Sequence, residues 1–172
     1  MRPPILLETE RLHLRPLEPG DAQALHSVLG DAETMSFYPE PWSLEIVQRL
    51  IEHQSGLYQS NGIGWFAVLL RDAGELIGDC GISHQNIDGV AEFEIGYHIH
   101  RDHWGKGYAT EAAREIKRYG FEDLYLKKLC SYMAADHLAS RRVAENNGMT
   151  LEKTYNNPRN RDLPTTVYSI EK

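Results

Sequence analysis

The feature that most narrows the folds open to this chain is "HWGKGYATEA" at residues 103 to 112, which follows a strand-like run and leads into good helix formers. Gly105 and Gly107 stand one residue apart at that junction. A strand that turns through glycines into a helix start leaves several backbone N–H groups without intrahelical partners, with the positive end of the helix dipole behind them. Glycine also removes the Cβ atoms where a backbone must approach a ligand closely. The N–H groups from Gly105 to Thr110 are therefore a candidate anion site, to which Lys106 adds charge. An ordinary glycine turn is the competing reading of the same residues. Two nucleotide motifs do not fit: the dinucleotide fingerprint lacks its third glycine, where Thr110 stands, and "WGKGYA" is too short for a Walker loop.

The surrounding pattern supplies the elements such a turn must join. "ERLHLRPL" alternates Leu12, Leu14 and Leu17 with polar residues, as an early strand that Pro16 helps to end. The period then changes. Asp21 stands where a helix N-cap would sit before Ala24, Leu25, Val28 and Leu29, and Ser43 stands likewise before Ile46, Val47, Leu50 and Ile51. "GWFAVLLRDAGELIGDCGIS" reads as a hairpin around "RDAGE", and Asp88-Gly89 turns the chain into a third strand. On that strand Phe93, Ile95, Tyr97 and Ile99 share one face, and Glu92, Glu94 and His98 the other. A helix follows from about Thr110 to Gly120, then a strand at "KKLCSYMAA", a short helix at "SRRVAENNGM" that Asn147-Gly148 stops, and a last strand at "TTVYSIEK". No repeat or linker interrupts this order. It predicts one α/β domain over residues 1–172, with its core at about 8–170 and a mostly antiparallel sheet.

Composition excludes several roles. With 18 Lys plus Arg against 25 Asp plus Glu, the formal charge is -7, which argues against nucleic-acid or anionic-membrane partners and favours cationic ones. Cys80 and Cys130 sit among apolar neighbours in strand-like segments, as reduced buried thiols suited to a cytoplasmic protein. No window approaches the roughly 18 apolar residues of a membrane span, and the first residues lack the apolar core of a signal peptide.

Three stretches together resemble a known family. "TERLHLRPLEPGDA", "EIGYHIHRDHWGKGYATEA" and "HLASRRVAENNGM", in that order, are similar to the GNAT acetyltransferases, in particular the RimJ/RimL-like branch that acetylates protein N-terminal amines. The resemblance covers nearly the whole chain. It implies a GNAT-like α/β (α+β) fold, a mixed and mostly antiparallel twisted sheet flanked by helices with splayed central strands. It also implies acetyl-CoA as cosubstrate, with no metal. The family's pyrophosphate loop reads Gln or Arg, x, x, Gly, x, Gly or Ala. Position by position this gives Trp104, Gly105, Lys106, Gly107, Tyr108 and Ala109, with Trp104 in place of the usual Gln or Arg. The pantetheine would pair with the backbone near Tyr97 to Ile99.

The same resemblance implies direct attack by a neutral amine on the thioester, which needs a proton acceptor, an oxyanion partner and a donor to the leaving thiolate. Glu94 is the candidate base, with Glu92 the alternative if a bulge shifts the register, and with two solvating carboxylates as the competing reading. The tyrosine that protonates the thiolate in much of the superfamily is matched here by Ala144. Ser140 is the substitute, either as a donor near the sulfur, as a plain CoA contact, or as the N-cap of its own helix. His137 stands where the family often has an asparagine that contacts the cofactor. Phe37, Tyr38 and Trp42 either line an acceptor pocket or cover the core, and Glu92 with Glu94 would draw a cationic acceptor. Two rivals differ in kind: a zinc site on His98, His100 and His103, and a non-catalytic CoA-binding module on the same fold. The chain is expected to be a monomer or a homodimer.

Overall fold

In the computed structural model, which describes residues 4–172, an eight-stranded sheet runs through the molecule. Its strands are β1 (Leu7–Glu8), β2 (Leu12–Pro16), β3 (Gly64–Leu70), β4 (Leu76–Ile87), β5 (Val90–Ile99), β6 (Lys128–Ala134), β7 (Thr150–Asn157) and β8 (Leu163–Glu171). The helices are α1 (Ala22–Leu29), α2 (Leu44–Asn61), α3 (Tyr108–Glu122) and α4 (Leu138–Asn146). The order across the sheet is β1-β2-β3-β4-β5-β6-β8-β7. Every neighbouring pair is antiparallel except β5 and β6, whose parallel direction requires the crossover that α3 provides.

Apolar periodicity places the helices on opposite faces. Ala112, Ala113, Ile116 and Tyr119 of α3 bury against Phe66, Val68, Cys80, Ile82 and Ile95. Leu25, Val28 and Leu29 of α1 and Val47 and Ile51 of α2 bury with Leu17, Met35 and Ala67 on the other side. Side chains alternate along β5, so its odd-numbered residues face α3 and its even-numbered residues face the α1 and α2 side.

Several expectations change in detail. Asp21 takes the N-cap position of α1 as expected, but its side chain makes no cap bond: it also ends a 3₁₀ turn, and its carboxylate takes Arg15 at 2.7 Å on each oxygen and the Glu18 N–H at 2.8 Å. The guanidinium is the stronger partner for a buried charge. Ser43 caps α2 as expected, accepting from the Ile46 N–H at 3.3 Å. The glycine-led helix starts at Tyr108 and runs to Glu122, longer at both ends than the sequence pattern indicated. Strand β7 is an addition to the expected set, an edge strand of mostly exposed residues.

Where β4 pairs with β3 at Gly81, opposite Trp65, the backbones lie too close for a side chain. A Cβ at Gly81 would overlap the Gly64 carbonyl and the Trp65 Cα, neither of which can move without breaking the ladder. Gly81→Ala is therefore expected to destabilise the fold by about 2–4 kcal/mol, measured by urea unfolding. A change within about 0.5 kcal/mol would show that the sheet yields there.

Candidate active site

Strands β5 and β6 touch at one register pair, Glu94 with Cys130. Past that pair Ser131 Oγ donates to the Ile95 carbonyl at 2.7 Å in place of a ladder bond, and the strands diverge. Backbone polar groups of a strand point alternately to its two neighbours. His100 N–H donates to Ile77 on the β4 side of the sheet, whereas the Ile99 carbonyl faces away from β4 and takes Trp104 Nε1 at 2.7 Å. Tyr97 lies between Ile95 and Ile99, so its N–H and C=O open into the gap.

A cavity of about 940 Å³ fills that gap and runs through the sheet. Its α3 half is walled by Ile95, Tyr97 and Ile99, the turn before α3, and the first turns of α4. Its other half is walled by Glu94 and His98, by Phe37 and Tyr38 above them, and by Arg159 and Asn160 from the turn before β8. Asn160 Nδ2 donates to the Phe37 carbonyl at 2.9 Å, and the Arg101 N–H donates to Thr34 Oγ1 at 3.1 Å. These bonds hold the segment between α1 and α2 over the cleft.

The turn before α3 is shaped by its two glycines. Gly105 and Gly107 lie at φ 73° and 81°, the left-handed region that costs other residues strain. Behind the turn is an anchor that the sequence reading did not single out. Arg11 NH1 donates to the Lys106 carbonyl at 2.8 Å, and Arg11 Nε donates to Glu111 Oε2 at 2.7 Å. The other oxygen of Glu111 takes the Arg11 N–H at 2.9 Å and Thr9 Oγ1 at 2.6 Å. The loop between β1 and β2 thus fastens the first turn of α3 from outside the cavity.

Glu94 is only 8 % exposed. Burial raises its carboxyl from 4.5 to about 7, against the smaller opposing effect of Ser83, whose hydroxyl donates to Oε2 at 3.3 Å. Across the sheet the Tyr97 hydroxyl donates to the Ser140 carbonyl at 2.9 Å and lies 3.0 Å from Ser140 Oγ. Burial pushes the Tyr97 pKa up, so it remains a donor. Ser140 lies inside α4, where His137 occupies the N-cap position, so the capping reading of Ser140 is set aside. His137 stacks on Phe37, centroids 3.8 Å apart and planes within 5°. Burial lowers its pKa to about 4, so it is a neutral ring at neutral pH.

Most of the residues expected at the site meet in this one cavity: Glu94, Tyr97, Ile99, Trp104, Gly105, Gly107, Tyr108, Ala109, Thr110, His137, Ser140, Phe37 and Tyr38. Three do not line it. Glu92 is held by Lys128 Nζ at 2.7 Å, because no bulge shifts the register of β5. Trp42 packs into the α1 and α2 core. Lys106 folds back so that Nζ donates to the Asp102 carbonyl at 3.1 Å. The three histidines weighed as zinc ligands turn to separate carboxylates: His98 to Asp79 at 2.8 Å, His100 to Asp102 at 3.6 Å and His103 to Glu75 at 3.4 Å.

Residues 11–150 match the family described as "Acetyltransferase (GNAT) domain". The chain belongs to the GNAT acetyltransferase family. It is 33% identical over 173 residues to the uncharacterised N-acetyltransferase YoaA of Bacillus subtilis (strain 168), covering 97% of each chain. An acetyltransferase structure from Agrobacterium tumefaciens superposes with a TM-score of 0.81 at 30% identity, covering 100% of this chain and 96% of that one. RimL, a ribosomal L7/L12 alpha-N-protein acetyltransferase solved with coenzyme A, shares the fold, with a TM-score of 0.81 at 17% identity and coverage of 97% and 98%. The eight-stranded sheet opened between β5 and β6 is thus the GNAT architecture that the motifs implied, and the chain is an acetyltransferase.

The raised pKa of Glu94 carries a consequence for stability. Its proton is held more tightly in the folded protein than in the unfolded chain. The stability this contributes is fully present below about 4.5 and is lost as pH rises through about 7. Glu94→Gln, which cannot ionise, should match the parent below that window and exceed it by up to about 3 kcal/mol above it. Thermal unfolding across pH checks this, and equal stabilities at all pH values would mean that the carboxylate is solvated.

Proposed function

We propose that this acetyltransferase moves an acetyl group from acetyl-CoA to a primary amine, either a protein N-terminus or a small molecule, by direct attack in a ternary complex. The observation that carries the reading is the position of Glu94. It is a buried carboxyl with a pKa raised to about 7, set where the sheet opens, with the glycine turn before α3 on the far side of the gap. In this reading the pyrophosphate lies on the N–H groups of the turn before α3, and the pantetheine amides pair with the open N–H and C=O of Tyr97. RimL, solved with coenzyme A, shares this fold.

An amine arrives mostly as its ammonium form, and only the neutral nitrogen has the lone pair to attack. Glu94, ionised in a good fraction near neutral pH, takes one proton from the nitrogen. The nitrogen bonds to the thioester carbon, whose oxygen becomes the oxyanion. When the C–S bond breaks, the second proton of the nitrogen passes to the departing thiolate, so the thiol and the amide leave with no proton unaccounted for. Ser140 is the hydrogen-bond donor that steadies the sulfur: the Tyr97 proton is directed to the Ser140 carbonyl, which leaves the Ser140 hydroxyl free to point its own proton at the thiolate, and it keeps that proton at the end of the step. Cys80 and Cys130 take no part, since burial raises both thiols. That makes them poor nucleophiles. The acidic balance of the chain favours a cationic acceptor.

Thiol release from acetyl-CoA, screened over peptides and small amines, tests the reading. The parent kcat should rise with pH through about 7 and then level. Glu94→Gln should lose about 100- to 10,000-fold in kcat and the rising limb with it. Unchanged turnover in that variant would remove Glu94 as the base. Coenzyme A binding with no turnover of any amine would favour a non-catalytic module.

A further inference from the structure

The Glu94 half of the cleft holds a second buried group that the proposed chemistry leaves unused. His98 is 5 % exposed and lines the cavity. It lies four residues beyond Glu94 on the same face of β5, roughly 13 Å along the strand between Cα atoms. Its Nδ1 is 2.8 Å from Oδ1 of Asp79, its register partner on β4, which is 0 % exposed. A carboxylate can only accept, so Nδ1 carries a proton toward Asp79, and in the neutral imidazole Nε2 is the acceptor. That Nε2 has no hydrogen-bond partner among the described residues.

Aromatic rings close the other sides. Tyr38 and Trp65 stand 5.0 and 5.1 Å from the imidazole, and Trp42 stands 6.2 Å away. The indole of Trp65 also covers Gly96, where a Cβ would come within 2.9 Å of its Cζ2. The strand face between Glu94 and His98 is therefore covered by the Trp65 indole, whose Nε1 is also unpartnered among the described residues, with the imidazole at its far end. Buried polar atoms are rarely left without partners in native structures, and an exception in a cleft is accounted for by a bound water, an ion or a ligand.

We propose that His98 Nε2 selects the acceptor substrate. It accepts a hydrogen bond from a second N–H or O–H carried by the amine several bonds from its reacting nitrogen, and Asp79 is the residue that positions it. The ligand class is a primary amine bearing a further hydrogen-bond donor, in preference to a simple alkylamine. The inference rests on the reading that the reacting nitrogen sits beside Glu94. It adds a distance and a polarity to the acceptor that Glu94 alone does not specify.

The test uses a homologous series of α,ω-amino alcohols and the methyl ether of each, which differ by one donor. For the chain length that spans the two residues, the parent kcat/KM should favour the alcohol over its ether by about tenfold or more. His98→Leu should bring the ratio to within about twofold, and His98→Gln, whose side-chain carbonyl can accept, should restore part of it. Should His98→Leu not fold, His98→Phe combined with Asp79→Asn keeps the ring packing without an unpaired buried carboxylate and should show the same collapse. The proposal is overturned if the parent shows no preference at any length, if it turns over other amines but no member of the series, or if the ratio survives loss of the imidazole. No turnover of any amine would instead sink the N-acetyltransferase reading on which this one rests.

Discussion

The site depends on one constraint in the sheet: β5 and β6 run parallel and meet at a single register pair, Glu94 with Cys130. A parallel neighbour cannot follow a strand through a hairpin, so the chain must leave, cross a face of the sheet and return. The crossover is α3, and its packing on Phe66, Ile82 and Ile95 fixes where β6 re-enters. On its far edge β6 pairs along its length with β8, but on the near edge it meets β5 only at Glu94, so the sheet opens past that pair. A row of β5 backbone groups is left without a strand to bond. The opening, the glycine turn at its rim and the carboxyl at its apex are consequences of one connection.

The sheet also separates the two halves of the chemistry. Alternation along β5 sends Tyr97 toward α4, where it meets Ser140, and sends Glu94 and His98 to the opposite face. A carboxyl and a hydroxyl therefore flank one opening without contacting each other, which suits the proposed reaction, in which one atom loses protons and another gains one. Burial does the electrostatic work at Glu94, raising its pKa, and at His137, lowering it. The cost is polar atoms held away from water. Glu94 is partly satisfied by Ser83, while His98 Nε2 and Asp79 Oδ2 have no partner among the described residues.

Much of this was legible in the amino-acid order, because it rests on local chemistry. The glycines before α3, the Asp88-Gly89 turn and the Ser43 cap all act within a few residues, and each gives the element its pattern indicates. The alternation of β5 alone puts Glu94 and Tyr97 on opposite faces. What escaped is non-local or weakly patterned. Strand β7, "TLEKTYNN", has no apolar alternation because it lies at the sheet edge, where little is buried. The Arg11–Glu111 anchor joins residues 100 apart in the chain, and the Asp79–His98 pair appears only once β4 and β5 are set in register. Glu92 and Trp42 carry the right chemistry for a site, but they meet Lys128 and the α1 and α2 core instead. Sequence shows which face a residue takes, and not what waits there.

The central claim is that the opened edge of β5 is the wall against which acetyl-CoA lies, and amide hydrogen exchange on adding coenzyme A tests it most directly. Only the odd-numbered amides of β5 face the opening. The expected result is slowing at Tyr97 by about tenfold or more on binding, with Gly96 and His98, already bonded to β4, changed far less. Coenzyme A that binds with no added protection at Tyr97, or with equal protection along the strand, would contradict it.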